Sequence, residues 1–237
     1  MERLQKVIAN TGFCSRRKAE EYIKKGLVYV NGNLVTELGT KVSYADEIIV
    51  DGTVLDAKEE KEYYLFYKPE GVITSVSDEK GRKTVVDFIP TKTRIYPVGR
   101  LDYNTTGLIL LTNDGDFANL LMHPKNRIEK IYSVKVNGVV TPDEFMRLKK
   151  GIVIEDRKVR PTYLKIKKVN KTGETTSLMI GIMEGRNHIV KKIMSELGHD
   201  VIRLKRETLA FLTLEGLKPG EYRKLTIKEV KRLFSLK

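Results

Sequence analysis

The chain has 237 residues, 41% of them hydrophobic, which suits one large domain or a medium domain with a small appendage and excludes a disordered tail. Forty-four Lys and Arg against 31 Asp and Glu leave a formal charge of +13. That excess favours a polyanionic partner such as nucleic acid, because each neutralised phosphate releases counterions.

Leu4, Val7 and Ile8 recur at helical spacing and predict a first helix that ends near Gly12. Ser15 stands where an N-cap belongs, and Arg16 to Lys25 read as a second helix stopped by Gly26. Ala19 and Ile23 lie one turn apart and face inward, which leaves Arg16, Arg17, Lys18, Lys24 and Lys25 on the outer sides. Such a charge run is ordinarily a solvated face. Here it clusters at the start and end of one helix, and the helix N-terminus adds backbone donors for phosphate. Val28 to Val35 then form a hairpin around Asn31-Gly32, a type I′ turn pair, and Ile48-Ile49-Val50 closes a compact module at residues 1–50. Asp51 to Glu62 is rich in charge and poor in apolar residues and reads as a linker.

From Tyr63 onward strand-like runs dominate: Tyr63–Tyr67, Ile95–Val98, Leu108–Leu111, Ile131–Val136, Tyr163–Val169, Thr176–Ile182 and Val201–Leu204. Helical patterns fall at Phe117–Met122, Pro142–Lys150, Ile189–Leu197 and Ile227–Phe234. Adjacent strands without βα alternation predict an α+β fold, with a mixed, largely antiparallel sheet and flanking helices over residues 63–237.

Several chemistries are set aside by what is missing. Cys14 is the one cysteine, so an internal disulfide and a Cys-rich zinc site are out and a reducing cytoplasm is the expected setting. His123, His188 and His199 lack metal-ligand spacing and read as surface or hydrogen-bonding residues, so no metal is expected. Gly81-Arg82-Lys83-Thr84 is a distant echo of a phosphate loop, and no Gly-x-Gly-x-x-Gly follows a strand, so no cofactor is expected either. Met1 to Lys6 lack the apolar core of a signal peptide. No apolar run approaches the ~20 residues that span a bilayer, and no membrane partner is expected.

The most informative segment is Gly99-Arg100-Leu101-Asp102-Tyr103-Asn104-Thr105-Thr106-Gly107-Leu108-Ile109-Leu110. It sets one carboxylate between two apolar runs, at the mouth of a buried sheet. Asp102 is either a covalent or general-base catalyst or a turn aspartate capping its own backbone, with Asn104 and Gly107 as turn formers.

Four motifs in order carry a family resemblance: Lys68-Pro69-Glu70-Gly71-Val72-Ile73-Thr74-Ser75, then Gly99 to Asp102 with Gly107-Leu108, then Glu129-Lys130-x-Tyr132, then Glu184-Gly185-Arg186-Asn187. Together they resemble the pseudouridine synthases of the RsuA/RluB type from about Tyr63 to Leu214. Arg3 to Val50 resemble the S4 RNA-binding domain. The resemblance implies isomerisation of a uridine in ribosomal RNA, more like the large-subunit RluB branch, by a monomer acting on free rRNA or a pre-ribosomal particle.

It makes Asp102 the catalytic aspartate, attacking ribose or base or taking the ribose 2′ proton, and Tyr132 the active-site tyrosine against the uracil. Lys191 is the first candidate for the cation beside Asp102 and Arg186 the second; the other reading of both is a solvated helix start. Arg100 resembles the residue that fills the gap left by a flipped nucleotide, and Arg3, Lys6, Arg16, Arg17 and Lys18 are the implied RNA contacts of the first module. Relatives carry Arg-Gln and paired Arg where this chain has His188-Ile189 and Lys191-Lys192, which keeps charge and loses bidentate geometry. The alternatives are a non-catalytic RNA-binding assembly factor, a small-subunit RsuA-like synthase and a DNA-binding protein. The last has the charge without a helix-turn-helix.

Overall fold

The structure is a computed structural model describing residues 1–55, 59–170 and 172–236. It divides into two compact units, Met1–Glu62 with Thr91–Ile95 and Asn113–Gly115, and Tyr63–Pro90, Tyr96–Thr112 and Asp116–Lys237. Among the described residues no helix is long and apolar enough to cross a membrane.

The first unit runs β1 (Glu2–Arg3), α1 (Leu4–Asn10), α2 (Arg16–Lys24), β2 (Val28–Val30), β3 (Asn33–Leu34), β4 (Lys41–Val42), β5 (Ile48–Val50) and β6 (Thr53–Val54). The apolar positions read from the sequence build its core: Leu4, Ile8, Ala19, Ile23, Val28 and Val50 are fully buried. Ser15 caps α2, its hydroxyl accepting from Lys18 N at 3.1 Å. Asn31 and Gly32 take φ of 50° and 79°, the paired positive values of a type I′ turn.

The reading of Asp51 to Glu62 as a linker needs correction. Thr53–Val54 pair with Ile49 and Val50 as an edge strand. Further on, the Asn113 side chain donates to Glu60 O at 2.8 Å and accepts from Glu62 N at 2.9 Å. Charge there marks a solvent-facing edge, and backbone hydrogen bonds that composition does not reveal hold it. Residues 56–58 of that stretch lie outside the described residues.

The second unit contains β7 (Tyr63–Lys68), β8 (Tyr96–Val98), β9 (Thr105–Thr112), α3 (Gly115–Met122), β10 (Lys130–Asn137), α4 (Pro142–Lys150), β11 (Ile152–Ile154), β12 (Arg157–Val159), β13 (Tyr163–Val169), β14 (Thr175–Ile182), α5 (Ile189–Ser195), β15 (Val201–Leu209), β16 (Leu212–Thr213), β17 (Tyr222–Lys224) and α6 (Ile227–Phe234). Its sheet has the order β13-β14-β10-β15-β9-β7-β17, with β16 on β15 and β8 on β9. β9 and β15 run parallel while their other neighbours are antiparallel, so the α+β expectation with a largely antiparallel sheet is met. Leu65, Leu108, Leu110 and Phe117 are fully buried in one core cluster. α4 and α6 open on reciprocal caps, Thr141 with Glu144 and Thr226 with Glu229, which the Thr-x-x-Glu spacing encodes.

Two differences bear on the site. β15 continues past Leu204 to Leu209, because its backbone bonds both β9 and β10 although Lys205 and Arg206 interrupt the apolar run. Gly107 is a strand residue of β9 and not a turn former. Its φ is +117°, and a Cβ there would lie 2.2 Å from Arg206 O and 2.5 Å from Arg206 N. The parallel junction brings two backbones so close that only a residue without a side chain fits.

Candidate active site

Asp102 lies in the loop that enters β9, and the first motif braces that loop. Lys68, at the end of β7, is fully buried. Its ammonium donates to Pro69 O (3.0 Å), Tyr103 O (3.3 Å) and Thr105 O (2.9 Å), so one side chain ties the end of β7 to the residues that follow Asp102. Burial pushes its pKa down to about 8, opposed by the negative charge of Asp102. Thr74 completes the brace: its hydroxyl donates to Leu101 O at 2.7 Å and accepts from Leu101 N at 3.3 Å. A Lys-Pro segment some 30 residues upstream of the carboxylate is therefore scaffolding for it.

The carboxylate does not cap its own backbone. Lys191 Nζ donates to Oδ2 at 2.7 Å, and His188 Nε2 lies 3.0 Å from Oδ1. Lys191 comes from α5, one turn beyond His188, whose left-handed φ of 55° opens that helix. A non-glycine residue held there is strained, and from that position the His188 ring reaches Asp102. The sequence reading treated His188 as a surface or hydrogen-bonding residue and gave it no place beside the carboxylate. Its position three residues before Lys191, on the same helical face, is the signal that could have found it.

Arg186, the second candidate for the cation, is not brought to Asp102. Its Nε donates to Glu184 Oε2 at 2.5 Å and its Nη1 to Ile154 O at 2.7 Å, with Glu155 3.8 Å away. The ion pair with Glu184 raises its pKa above the ordinary arginine value. Lys192 also bonds Glu155. The two cations bind α5 and the segment before it to the β11–β12 turn, where neither is available to the carboxylate.

A cleft of about 710 Å³ opens beside Asp102. Arg100, Asp102 and Thr105 line one side and Glu184 to Val190 another, while Lys130, Tyr132, Leu204 and Arg206 project from one face of β10 and β15. Tyr132 is buried and its ring faces the cavity; Arg100 is exposed at the rim. Arg206 was missed by the sequence reading because the predicted strand stopped at Leu204. An arginine continuing the buried alternation of that strand is the signal. In the first unit, Arg3, Arg16, Arg17 and Lys18 are exposed, and Lys6 is half-buried and paired with Glu2 at 3.2 Å.

Fold and cleft define a class: a basic α+β protein whose cleft sets Asp102 beside Lys191 and His188, and which carries a second, smaller α+β unit. The RNA pseudouridylate synthase family matches residues 62–196, and the S4 domain matches residues 2–49. Over 237 residues the chain is 52% identical to the ribosomal large subunit pseudouridine synthase B of Bacillus subtilis (strain 168), covering 100% of this chain and 97% of that one. It is 40% identical over 235 residues to an uncharacterized RNA pseudouridine synthase of Aquifex aeolicus (strain VF5), with 98% and 93% covered. A crystal structure of a pseudouridylate synthase superposes with a TM-score of 0.69 at 31% identity, covering 98% of this chain and 100% of that one. The chain belongs to the RNA pseudouridylate synthase family, enzymes that isomerise uridine in RNA, and it carries an S4 domain ahead of its catalytic unit.

Proposed function

We propose that this enzyme converts a uridine of large-subunit ribosomal RNA to pseudouridine, acting in the cytoplasm as a monomer on free rRNA or a pre-ribosomal particle. The observation that carries the chemistry is the Asp102–Lys191 pair at 2.7 Å, at the mouth of a cleft lined by Tyr132. The choice of RNA rests on the Bacillus subtilis relative.

In this reading Asp102 works as the carboxylate, and Lys191 and His188 hold and aim it. Tyr132 stacks on the extruded uracil. Arg100 occupies the gap left in the RNA. The exposed Arg3, Arg16, Arg17 and Lys18, with Lys6, hold phosphates and position the RNA without reading its sequence. A non-catalytic assembly factor would gain nothing from a carboxylate in a phosphate-attracting cleft, where it repels the ligand.

Mapping pseudouridines in rRNA from cells lacking the protein is the test. The expected result is loss of modification at one or a few large-subunit positions, restored by the wild-type gene. Unchanged rRNA overturns the reading, and a lost small-subunit position overturns the choice of subunit.

The geometry also separates the two cations. Lys191→Met is expected to lower kcat by roughly 10²-fold with little change in thermal stability, since a partly exposed ion pair contributes only about 1 kcal/mol. Arg186→Met is expected to loosen the segment before α5 and lower Tm by a few degrees, roughly the cost of losing hydrogen bonds made by a partly exposed charge. Turnover and melting curves of both variants check this. Exchanged phenotypes would mean that Arg186, not Lys191, supports the carboxylate.

A further inference from the structure

The floor of the cleft holds two cations that the roles above leave unused. Arg206 is 3% exposed. Its Nε donates to Leu108 O at 2.6 Å, while its Nη2 is buried without a partner. Lys130 Nζ donates to Ile128 O at 3.1 Å. Neither cation has a carboxylate within ion-pair distance among the described residues. Thr105 Oγ1, also lining the cleft, is likewise buried and unpartnered. Burying unneutralised charge costs several kcal/mol per ion. Two such charges side by side make a floor of positive potential that only an anion bound above it would neutralise.

Register says what sits above. Arg206 is directly opposite Tyr132 on the neighbouring strand, and Lys130 is two residues from Tyr132 on the same face. With Tyr132 against the uracil, as proposed above and on which this inference rests, the floor faces the base and not the sugar-phosphate chain. The base is neutral in the substrate and charged in the reaction. When the C1′–N1 bond breaks, its electron pair stays on the ring, as charge shared by N1 and the carbonyl oxygens. The pair is consumed when C5 bonds to C1′; the proton on C5 is then lost and N1 gains one, so nothing is added or removed overall.

We propose that Lys130 is a catalytic residue that donates a hydrogen bond to the detached uracil anion, and that Arg206 is the positioning residue that keeps this floor dry and positive. Such a contact is stronger in the transition state than in the bound substrate and therefore acts on kcat. Burial, and next the charge of Arg206, lower the pKa of Lys130 to about 8. The charged and titratable groups sharing its cleft are Tyr132 on its own strand, Arg206 on β15, Arg100 and Asp102 from the loop before β9, and Glu184, Arg186 and His188 on the wall opposite. The donor form is present below that pKa and is lost as pH rises through about 8, so turnover falls on the alkaline side.

The test compares wild type, Lys130→Met and Lys130→Arg on an rRNA fragment in single-turnover and RNA-binding assays. Lys130→Met is expected to lose about 10²-fold in rate, with RNA affinity within about threefold of wild type. With 5-fluorouridine, whose ring carries negative charge more readily and whose C5 has no proton to lose, the rate read is that of C1′–N1 cleavage, and there the loss shrinks. Lys130→Arg recovers part of the rate and shifts the alkaline decline upward, because guanidinium does not titrate there. That shift is readable even if Lys130→Met folds poorly.

The proposal is overturned by a Lys130→Met rate equal to wild type, or by an alkaline limb that stays in place in Lys130→Arg. It is also overturned by lost RNA affinity with intact turnover, which would make the floor a phosphate clamp. A wild-type protein that leaves uridine unchanged overturns the functional reading beneath it instead.

Discussion

Asp102→Asn is expected to remove pseudouridine formation by roughly 10³-fold or more while leaving a folded protein that still binds RNA. The loop around it does not depend on the carboxylate. Lys68 and Thr74 hold the backbone through the carbonyls of Leu101, Tyr103 and Thr105, and none of those bonds involves the Asp102 side chain. What the substitution takes away is the negative charge facing Lys191 and His188 and the oxygen that would attack or accept a proton. The amide is nearly the same size, so packing is preserved. With one anion fewer in a cationic cleft, RNA affinity stays the same or rises. The checks are pseudouridine yield, RNA affinity and a melting curve on one preparation. A normal yield would remove Asp102 from the chemistry, and a lost fold would make it a structural residue.

Gly107→Ala is expected to do the reverse, destroying stability without touching any chemical group. The added methyl would lie 2.2 Å from Arg206 O and 2.5 Å from Arg206 N, both backbone atoms inside a sheet, at a φ of +117°. No side chain can move aside to relieve that contact. Relief means separating β9 from β15 at their parallel seam, so the expected cost is about 4 kcal/mol or more, a fall in Tm of about 10 °C or beyond. Gly99→Ala is the control. Gly99 also has positive φ, +76°, with nothing within 4 Å of the added atom, and about 1 kcal/mol is expected from backbone strain alone. Equal melting temperatures for the two variants would mean that close approach is not what requires glycine at 107.

What was legible in the sequence was mostly what is local. Apolar period, capping serine and threonines, and the Asn31-Gly32 turn gave the elements of the first unit and the long strands and helices of the second. The loop holding Asp102 stood out because a polar patch between apolar runs is a one-dimensional pattern. The short strands Ile152–Ile154, Arg157–Val159 and Tyr222–Lys224 were not legible, since three residues show little periodicity; the first two pair only with each other, and the partner of the third, Tyr64 to Phe66, lies far back in the chain. Gly107 looked like a turn residue because sequence gives the permission for positive φ and not the reason. Lys68 and Arg206 were invisible as buried groups: a charged residue reads as surface until the carbonyls that receive it are in place. Choosing between Lys191 and Arg186 needed coordinates, because the two lie five residues apart with the same charge.

The spans of the site's contacts imply an order of assembly. Lys68 reaches Thr105 across 37 residues, whereas Asp102 and Lys191 are 89 apart and Arg206 and Leu108 are 98 apart. Loop closure becomes more costly with length, and a chain made from its N-terminus gains near contacts first. A growing polypeptide can thus shape the loop around Asp102 well before the segment that supplies its cation and its cleft floor exists. Until the chain has passed Lys191 the carboxylate has a cradle and no cation paired with it, and until it has passed Arg206 the cleft has no floor, so competence for chemistry arrives well after the loop is shaped.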